Sequence, residues 1–305
     1  MNSDPTDSGK WVNLTNANEC VASAAQITLE LRLRAVQTSL PVAAEQADET
    51  PEHVHRLRVA TRRALAALEL YADFVPGKDA TWLAKQMKKI RKAAALARDL
   101  DVLTSRYHKS PSSKRKHILR RLNRLRSRAQ RSIVGLNQKL TENERLSRRI
   151  DRVLRGIVQD TDVKLVDFAL SKIGQQANAF FNGAPVDLGD IDQLHRFRVQ
   201  AKAFRYSMEL LCDALPETIR SDIYPLVCLV QDHLGEINDH AVAQQKLKQL
   251  CRKEKRDGHS RQVKKLARRE KQAMQWAIAR FQDWFTPRFL NDFRLKLDEI
   301  LTNSP

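Results

Sequence analysis

A chain of 305 residues can bury a sizeable core. Its 9 Gly and 10 Pro, set against abundant Ala, Leu, Arg, Lys and Gln, favour helices over sheet. A formal charge of +18 points to an extended anionic partner: a polymer of phosphates, a nucleic acid or an anionic membrane surface.

The four cysteines, Cys20, Cys212, Cys228 and Cys251, are scattered and show no zinc spacing, so reduced thiols are expected. The first residues, MNSDPTDSGKWVNLTNANE, have neither a positive start nor an apolar core. No run approaches the roughly 18 apolar residues of a membrane span. Cytoplasmic residence is the expectation, with no membrane association.

In chain order, residues 1–17 are polar and read as a disordered tail. Over 18–40, Val21, Ala24, Ile27, Leu31 and Ala35 recur at helical spacing, and 41–49 reads as a linker opening on Pro41. Thr50-Pro51-Glu52 is a helix start: a capping hydroxyl, a proline in the first turn and an early acid. The helix over 53–71, HVHRLRVATRRALAALELY, has two faces. At about 100° per residue, Leu57, Ala60, Ala64, Ala67, Leu68 and Tyr71 share one face. On the opposite side, His55, Arg58 and Arg62 lie within about 60° of one another.

The next helix is expected over 82–103, with Leu83, Met87, Ile90, Ala94 and Ala97 inward and a stripe of Lys85, Lys88 and Lys92 outward. A long helix over 114–140 carries Ile118, Leu122, Leu125, Ala129, Ile133 and Leu136 on its core face. Arg121, Arg124, Arg128 and Arg131 flank that face. Helices over 143–159 and 162–181 follow.

A second copy of the two-faced helix then begins at His195, HRFRVQAKAFRYSMELL. Asp190 stands in the capping place ahead of it. Phe197, Phe204, Met208 and Leu211 make its apolar face; His195, Arg198, Lys202, Arg205 and Tyr206 sit with the basic one. The helix over 223–242 is much less basic than its counterpart, with Pro225, Cys228 and Asp232 in place of the three lysines. Arg261, Lys264, Arg268 and Lys271 repeat the long-helix row, and the last helix runs over 276–285, breaks near Pro287 and resumes over 289–301. About eight helices are expected in all, in bundles with short connections.

The two copies are 140 residues apart without a gap. His55, Arg58, Glu69, Asp73, Pro76, Asp99 and Val102 match His195, Arg198, Glu209, Asp213, Pro216, Asp239 and Val242. The period is too long for a solenoid, whose repeats run at roughly 20–50 residues. Two halves of one duplicated domain are expected, 18–158 and 159–305.

Four pieces in order carry a resemblance: H-x-x-R-V-x-x-R-R from His55, ARDLDV, the second H-x-x-R-V-x-x-K-x-x-R-Y from His195, and LGEIND. Over residues 18–300 the chain resembles the CHAD family, the conserved histidine α-helical domain. Leu65 stands where that family often has a further Arg, and Ala95 where a Gly is usual. The resemblance implies an all-α fold of two pseudo-twofold-related four-helix bundles. It also implies binding of inorganic polyphosphate by basic residues along a central groove.

A basic helix face is ordinarily a solvated one. Here it recurs in both halves and includes histidine, which solvation does not require. Converging cations repel unless a counter-ion joins them, and a phosphate chain brings charge and acceptor oxygens that Arg can grip bidentately. The polyphosphate-binding residues expected first are His55, Arg58, Arg62, His195, Arg198, Lys202 and Arg205. Lys85, Lys88, Lys92, Arg124, Arg128, Lys264 and Arg268 are expected to support them. Glu69 and Glu209 read as salt-bridge partners of Arg62 and Arg205.

The acids Asp99, Asp101 and Asp239 match no metal-ligand spacing and read as caps or locks on Arg. No nucleophile elbow or Walker sequence occurs. A non-enzymatic protein without a metal or cofactor is expected. The alternatives are a nucleic-acid-binding helical protein, disfavoured by only 6% aromatic residues, or an accessory module recruiting a phosphate-metabolising enzyme.

Overall fold

The computed structural model describes residues 9–14, 20–108, 116–158, 162–253 and 260–303. Among them the regular structure is helical, and no strand forms. The α-helices are α1 Val21–Glu45, α2 Glu52–Leu70, α3 Gly77–His108, α4 Lys116–Thr141 and α5 Arg145–Arg155, followed by α6 Leu165–Asn182, α7 Ile191–Leu211, α8 Tyr224–Lys253, α9 Ser260–Trp284 and α10 Pro287–Thr302. The chain divides into two compact units, Met1–Phe168 and Ala169–Pro305. The halves read from the sequence meet earlier, at residue 158.

In the first unit α1 packs on α2, α4 and α5, and α3 packs on α2, α4 and α5. Leu29, Leu33, Val36, Leu57, Tyr71, Leu83, Met87, Leu122 and Ile150 are fully buried there. Each such aliphatic side chain contributes about 1.5–3 kcal/mol. The expected core face of α4 is confirmed at Ile118, Leu122, Ala129 and Ile133, whereas Leu125 and Leu136 are only half-buried.

Two expectations are corrected in this unit. The first helix does not stop at residue 40: Pro41 lies inside α1. Proline removes one backbone bond and ordinarily breaks a helix, at a cost of about 3 kcal/mol. Here Leu40, Ala43 and Ala44 are buried beyond it, and Gln130 Nε2 from α4 donates to the carbonyls of Ala43 and Ala44 at 2.7 and 3.0 Å. Tertiary burial and a borrowed cap carry the helix past its proline. The other correction concerns 9–14, read as part of a tail. Val12 and Leu14 are fully buried, and the buried Arg32 donates to the carbonyls of Gly9 and Lys10, the latter at 2.7 Å. A buried guanidinium needs acceptors, and this stretch of backbone supplies them. The rest of the expected tail, 1–8 and 15–17, lies outside the described residues.

The helix starts follow their sequence signals. Thr50 Oγ1 accepts from Glu52 N at 3.2 Å, and Asp190 caps α7 by accepting from the backbone N–H groups of Asp192 and Gln193 at 2.8 and 3.2 Å. A hydrogen bond from the Gln193 side chain at 3.0 Å, followed by these backbone bonds, holds the Asp190 carboxyl below its usual range. Gly156 is required by close approach, because a Cβ there would meet Pro76 Cγ at 2.9 Å.

The second unit is built on α8, which packs on α7 and α9. Its core is aromatic: Phe180 lies 4.8 Å from Phe197, 5.6 Å from Phe204 and 5.7 Å from Phe293 between ring centroids. Phe281 stacks on Phe285 at 4.9 Å. Such pairs add about 0.5–1.5 kcal/mol each beyond their buried area.

Candidate functional site

On α2 the apolar face is the core face, with Leu57, Ala64, Ala67 and Leu68 buried and Ala60 half-buried. The opposite face holds His55, Arg58 and Arg62, all half-buried. The chain turns at Pro76 and α3 runs back along α2. Reflection about that turn sets Arg98 of α3 opposite His55. Its charge registers there: burial is the largest cause lowering the His55 pKa, Arg98 the next, with Arg62 and Arg58 adding to it and Glu52 opposing. His55 Nδ1 and Arg62 Nε are buried, with no hydrogen-bond partner among the described residues. A histidine and three arginines thus share one part of the α2–α3 surface, and orphaned polar atoms remain there.

The same reflection about Pro216 sets Asn238 of α8 opposite His195 of α7. Both line a cleft of about 300 Å³ together with Arg198, Asp192 and Gln245. His195 is exposed and Arg198 half-buried. Arg98 and Asn238 were missing from the residues expected from sequence. The hairpin reflection was the signal that could have found them, since 55 and 98 are equidistant from the Pro76–Gly77 turn.

Lys202 is half-buried and does not line that cleft. Arg205 is engaged elsewhere: its Nε lies 3.2 Å from the Glu209 carboxylate, which is 1% exposed. Tyr224 of α8 donates to the same carboxylate oxygen at 2.9 Å. Burial, the largest single influence, disfavours the Arg205 charge, but Glu209 together with Tyr206, Tyr224 and Cys228 outweighs it and raises the pKa. Burial, followed by Glu209, raises the Tyr224 pKa as well. The expected pairing of Arg205 with Glu209 is therefore present.

Its first-half analogue is different: Glu69 is exposed. Arg62 and Glu69 are seven residues apart, about 10 Å along a helix, whereas Arg205 and Glu209 are one turn apart. The position one turn before Glu69 is Leu65, which is buried. Tyr206, expected on the basic face, is buried beneath Arg205, whose guanidinium carbon lies 5.2 Å from the ring centroid.

The supporting rows, Lys85, Lys88 and Lys92 on α3, Arg124 and Arg128 on α4, and Lys264 and Arg268 on α9, are exposed. Of the three acids read as caps or locks, Asp101 is a lock on an arginine. Asp101 pairs with Arg126 of α4 at 2.6 Å; burial raises its pKa, and Arg126 pulls the other way. His240 Nδ1 lies 2.6 Å from the buried Glu270 of α9. No cluster of three His, Cys, Asp or Glu able to hold a metal occurs among the described residues. None of their helices is long and apolar enough to cross a membrane.

The family model for the CHAD domain matches residues 28–248. This chain belongs to the CHAD family. Its fold is similar to the crystal structure of the CHAD domain from the plant Ricinus communis, with 21% identity and a TM-score of 0.64 over 97% of this chain and 96% of that one. It is also similar to PptA from Streptomyces chartreusis, with 13% identity and a TM-score of 0.59 over 85% and 98% of the two chains. No curated protein sequence matches. At these identities the likeness to the two solved structures speaks for the fold alone.

Proposed function

We propose that this CHAD protein binds inorganic polyphosphate and does so without catalysis. The observation that carries the reading is the cluster on α2 and α3 in which Arg58, Arg62 and Arg98 surround His55, whose Nδ1 is buried with no partner among the described residues. Unliganded, such a cluster is costly; phosphoryl oxygens would supply both acceptors and countercharge. His195 and Arg198 recur at the same spacing at the cleft on α7 and α8. In this reading the two units descend from one duplicated four-helix unit, and each offers a His/Arg face to the ligand. Arg205 serves by fixing its helix, and the exposed rows supply long-range attraction. Residence on polyphosphate granules in the cytoplasm belongs to the same proposal.

The aromatic residues favour this reading over nucleic acid. Most of those in the second unit are packed into its core, whereas Trp276, 68% exposed, is an exception. Base stacking wants several such platforms along the strand.

The test is replacement of Arg58, Arg62, Arg198 and Lys202 by Ala, against a control lacking Lys139, Lys248, Arg269 and Arg288, which are exposed elsewhere. None of the four motif side chains fills the core, so melting temperature should hold. Affinity for long-chain polyphosphate by calorimetry should fall by roughly a hundredfold in the motif variant and only a few-fold in the control. Equal losses would make binding diffuse and remove the assigned site. A duplex DNA or RNA that displaces polyphosphate at equal charge would return the protein to the nucleic-acid reading.

A further inference from the structure

Helix α5 carries Arg145, Arg148, Arg149, Arg152 and Arg155 within eleven residues. Arg152 and Arg155 in the last turn complement the helix dipole, but Arg145 and Arg148 oppose it; the first turn holds no acid, and Glu144 at the N-cap position reaches Arg148 at 3.8 Å. The duplication does not account for them. Residues 140 positions on are Phe285, Arg288, Phe289, Asp292 and Leu295, so only one of the five arginines recurs.

The side chains are held in place. Arg145 and Arg149 lie over the face of Trp82, 5.6 and 5.1 Å from its ring centroid. Asp79 takes Arg149 and, at 3.7 Å, Arg152. Asp151 is drawn off to Arg34 of α1 at 2.5 Å. The chain enters α5 through Asn143 and Glu144, both left-handed with φ of 51° and 53°. Asn adopts that conformation fairly readily, but Glu seldom does. The arginine side chains line a concavity of about 630 Å³, which Glu142 and Asp151 also border. All of this lies within the first unit.

We infer that this concavity is a second phosphate site, separate from the His/Arg faces, which takes a short run of phosphoryl groups joined by anhydride bonds. The inference rests on the polyphosphate reading for its ligand class. Guanidinium groups set in place by Trp82 and Asp79 lose little freedom when they grip phosphoryl oxygens bidentately. Trp82 carries Arg145 and Arg149 on its ring and does not itself line the concavity, so no aromatic residue borders it to stack on a base. That favours a bare phosphate chain over a nucleic acid.

The probe is tripolyphosphate, titrated by calorimetry into the full chain. Wild type should bind it at more than one site. Arg145, Arg148 and Arg155 to Ala together should remove the α5 site without lowering the melting temperature, since these side chains are exposed. Long-chain polyphosphate affinity should drop roughly tenfold, the loss of one or two charge-assisted contacts. Trp82→Leu changes no charge and should weaken tripolyphosphate at this site by removing the platform. The variant lacking Arg58, Arg62, Arg198 and Lys202 should keep it. If that motif variant loses all tripolyphosphate binding and the α5 variants bind as wild type, the α5 site is overturned and the motif reading stands. If only the α5 variants lose binding, the motif reading falls and the α5 site stands. An oligonucleotide of matched charge competing equally well would overturn the choice of ligand.

Discussion

His55 is the residue whose environment is most informative. Its pKa lies below the ordinary 6.5 because burial, then Arg98, Arg62 and Arg58, disfavour the imidazolium, with Glu52 alone opposing among the charges named. The unfolded chain therefore takes up this proton first. The unliganded fold loses stability as pH falls through 6.5 towards the depressed value. A phosphate chain against His55 reverses the sign, because it favours the protonated ring. Binding should then take up protons, and affinity should rise as pH falls from about 8 to about 6. Calorimetry in buffers of different ionisation enthalpy measures that uptake, and His55→Gln should remove part of it. Uptake unchanged by the substitution would take His55 out of the site.

Between elements, polar contacts of buried and half-buried side chains fix which helix meets which. Asp101 ties α3 to α4 through Arg126, His240 ties α8 to α9 through Glu270, and Glu209 ties α7 to α8 through Tyr224 while holding Arg205. In the first half the residues at the corresponding offsets are Leu65, Glu69 and Ala84: the carboxylate is exposed and the arginine and tyrosine are absent together. The three appear as a set because a buried carboxylate without partners is costly. Arg205→Ala should therefore destabilise the protein by about 3 kcal/mol, and Tyr224→Phe by about 1–2 kcal/mol. Chemical denaturation checks both. The Tyr224→Phe protein, once folded, should bind polyphosphate as wild type does. A full-stability Arg205→Ala variant would mean that the pair with Glu209 does not hold the helices and that Arg205 is free to serve the ligand.

For the molecule as a whole, the charge of +18 sets how binding responds to salt. Each cation that neutralises a phosphate releases a counter-ion, so the logarithm of affinity should fall linearly with the logarithm of salt. In nucleic acids each contact contributes a slope of roughly 0.7–0.9, so replacing Arg58, Arg62, Arg198 and Lys202 should flatten the line by about 3. Titration at several salt concentrations reads this directly. A flat wild-type dependence would be incompatible with binding through these cations.

The sequence by itself determined the helical class, the core faces of α2 and α7, the Asp190 cap and the family, because helical periodicity, capping and motif order are local properties of a chain. The pairing of Arg205 with Glu209 was legible for the same reason, being one turn apart. What needed the tertiary structure is what depends on a neighbouring helix. Pro41 is carried inside α1 because α4 caps the end of that helix, which no local rule anticipates. Arg98 joins His55 only because α3 folds back along α2. Val12 and Leu14 are buried through packing that a polar-looking segment does not announce. The sequence assigns the helix over 143–159 no role; Trp82, Asp79 and the left-handed corner at Asn143 and Glu144 turn its arginines into a shaped surface. Charge along a chain is written in the sequence, but whether charges are held together depends on side chains contributed by other elements.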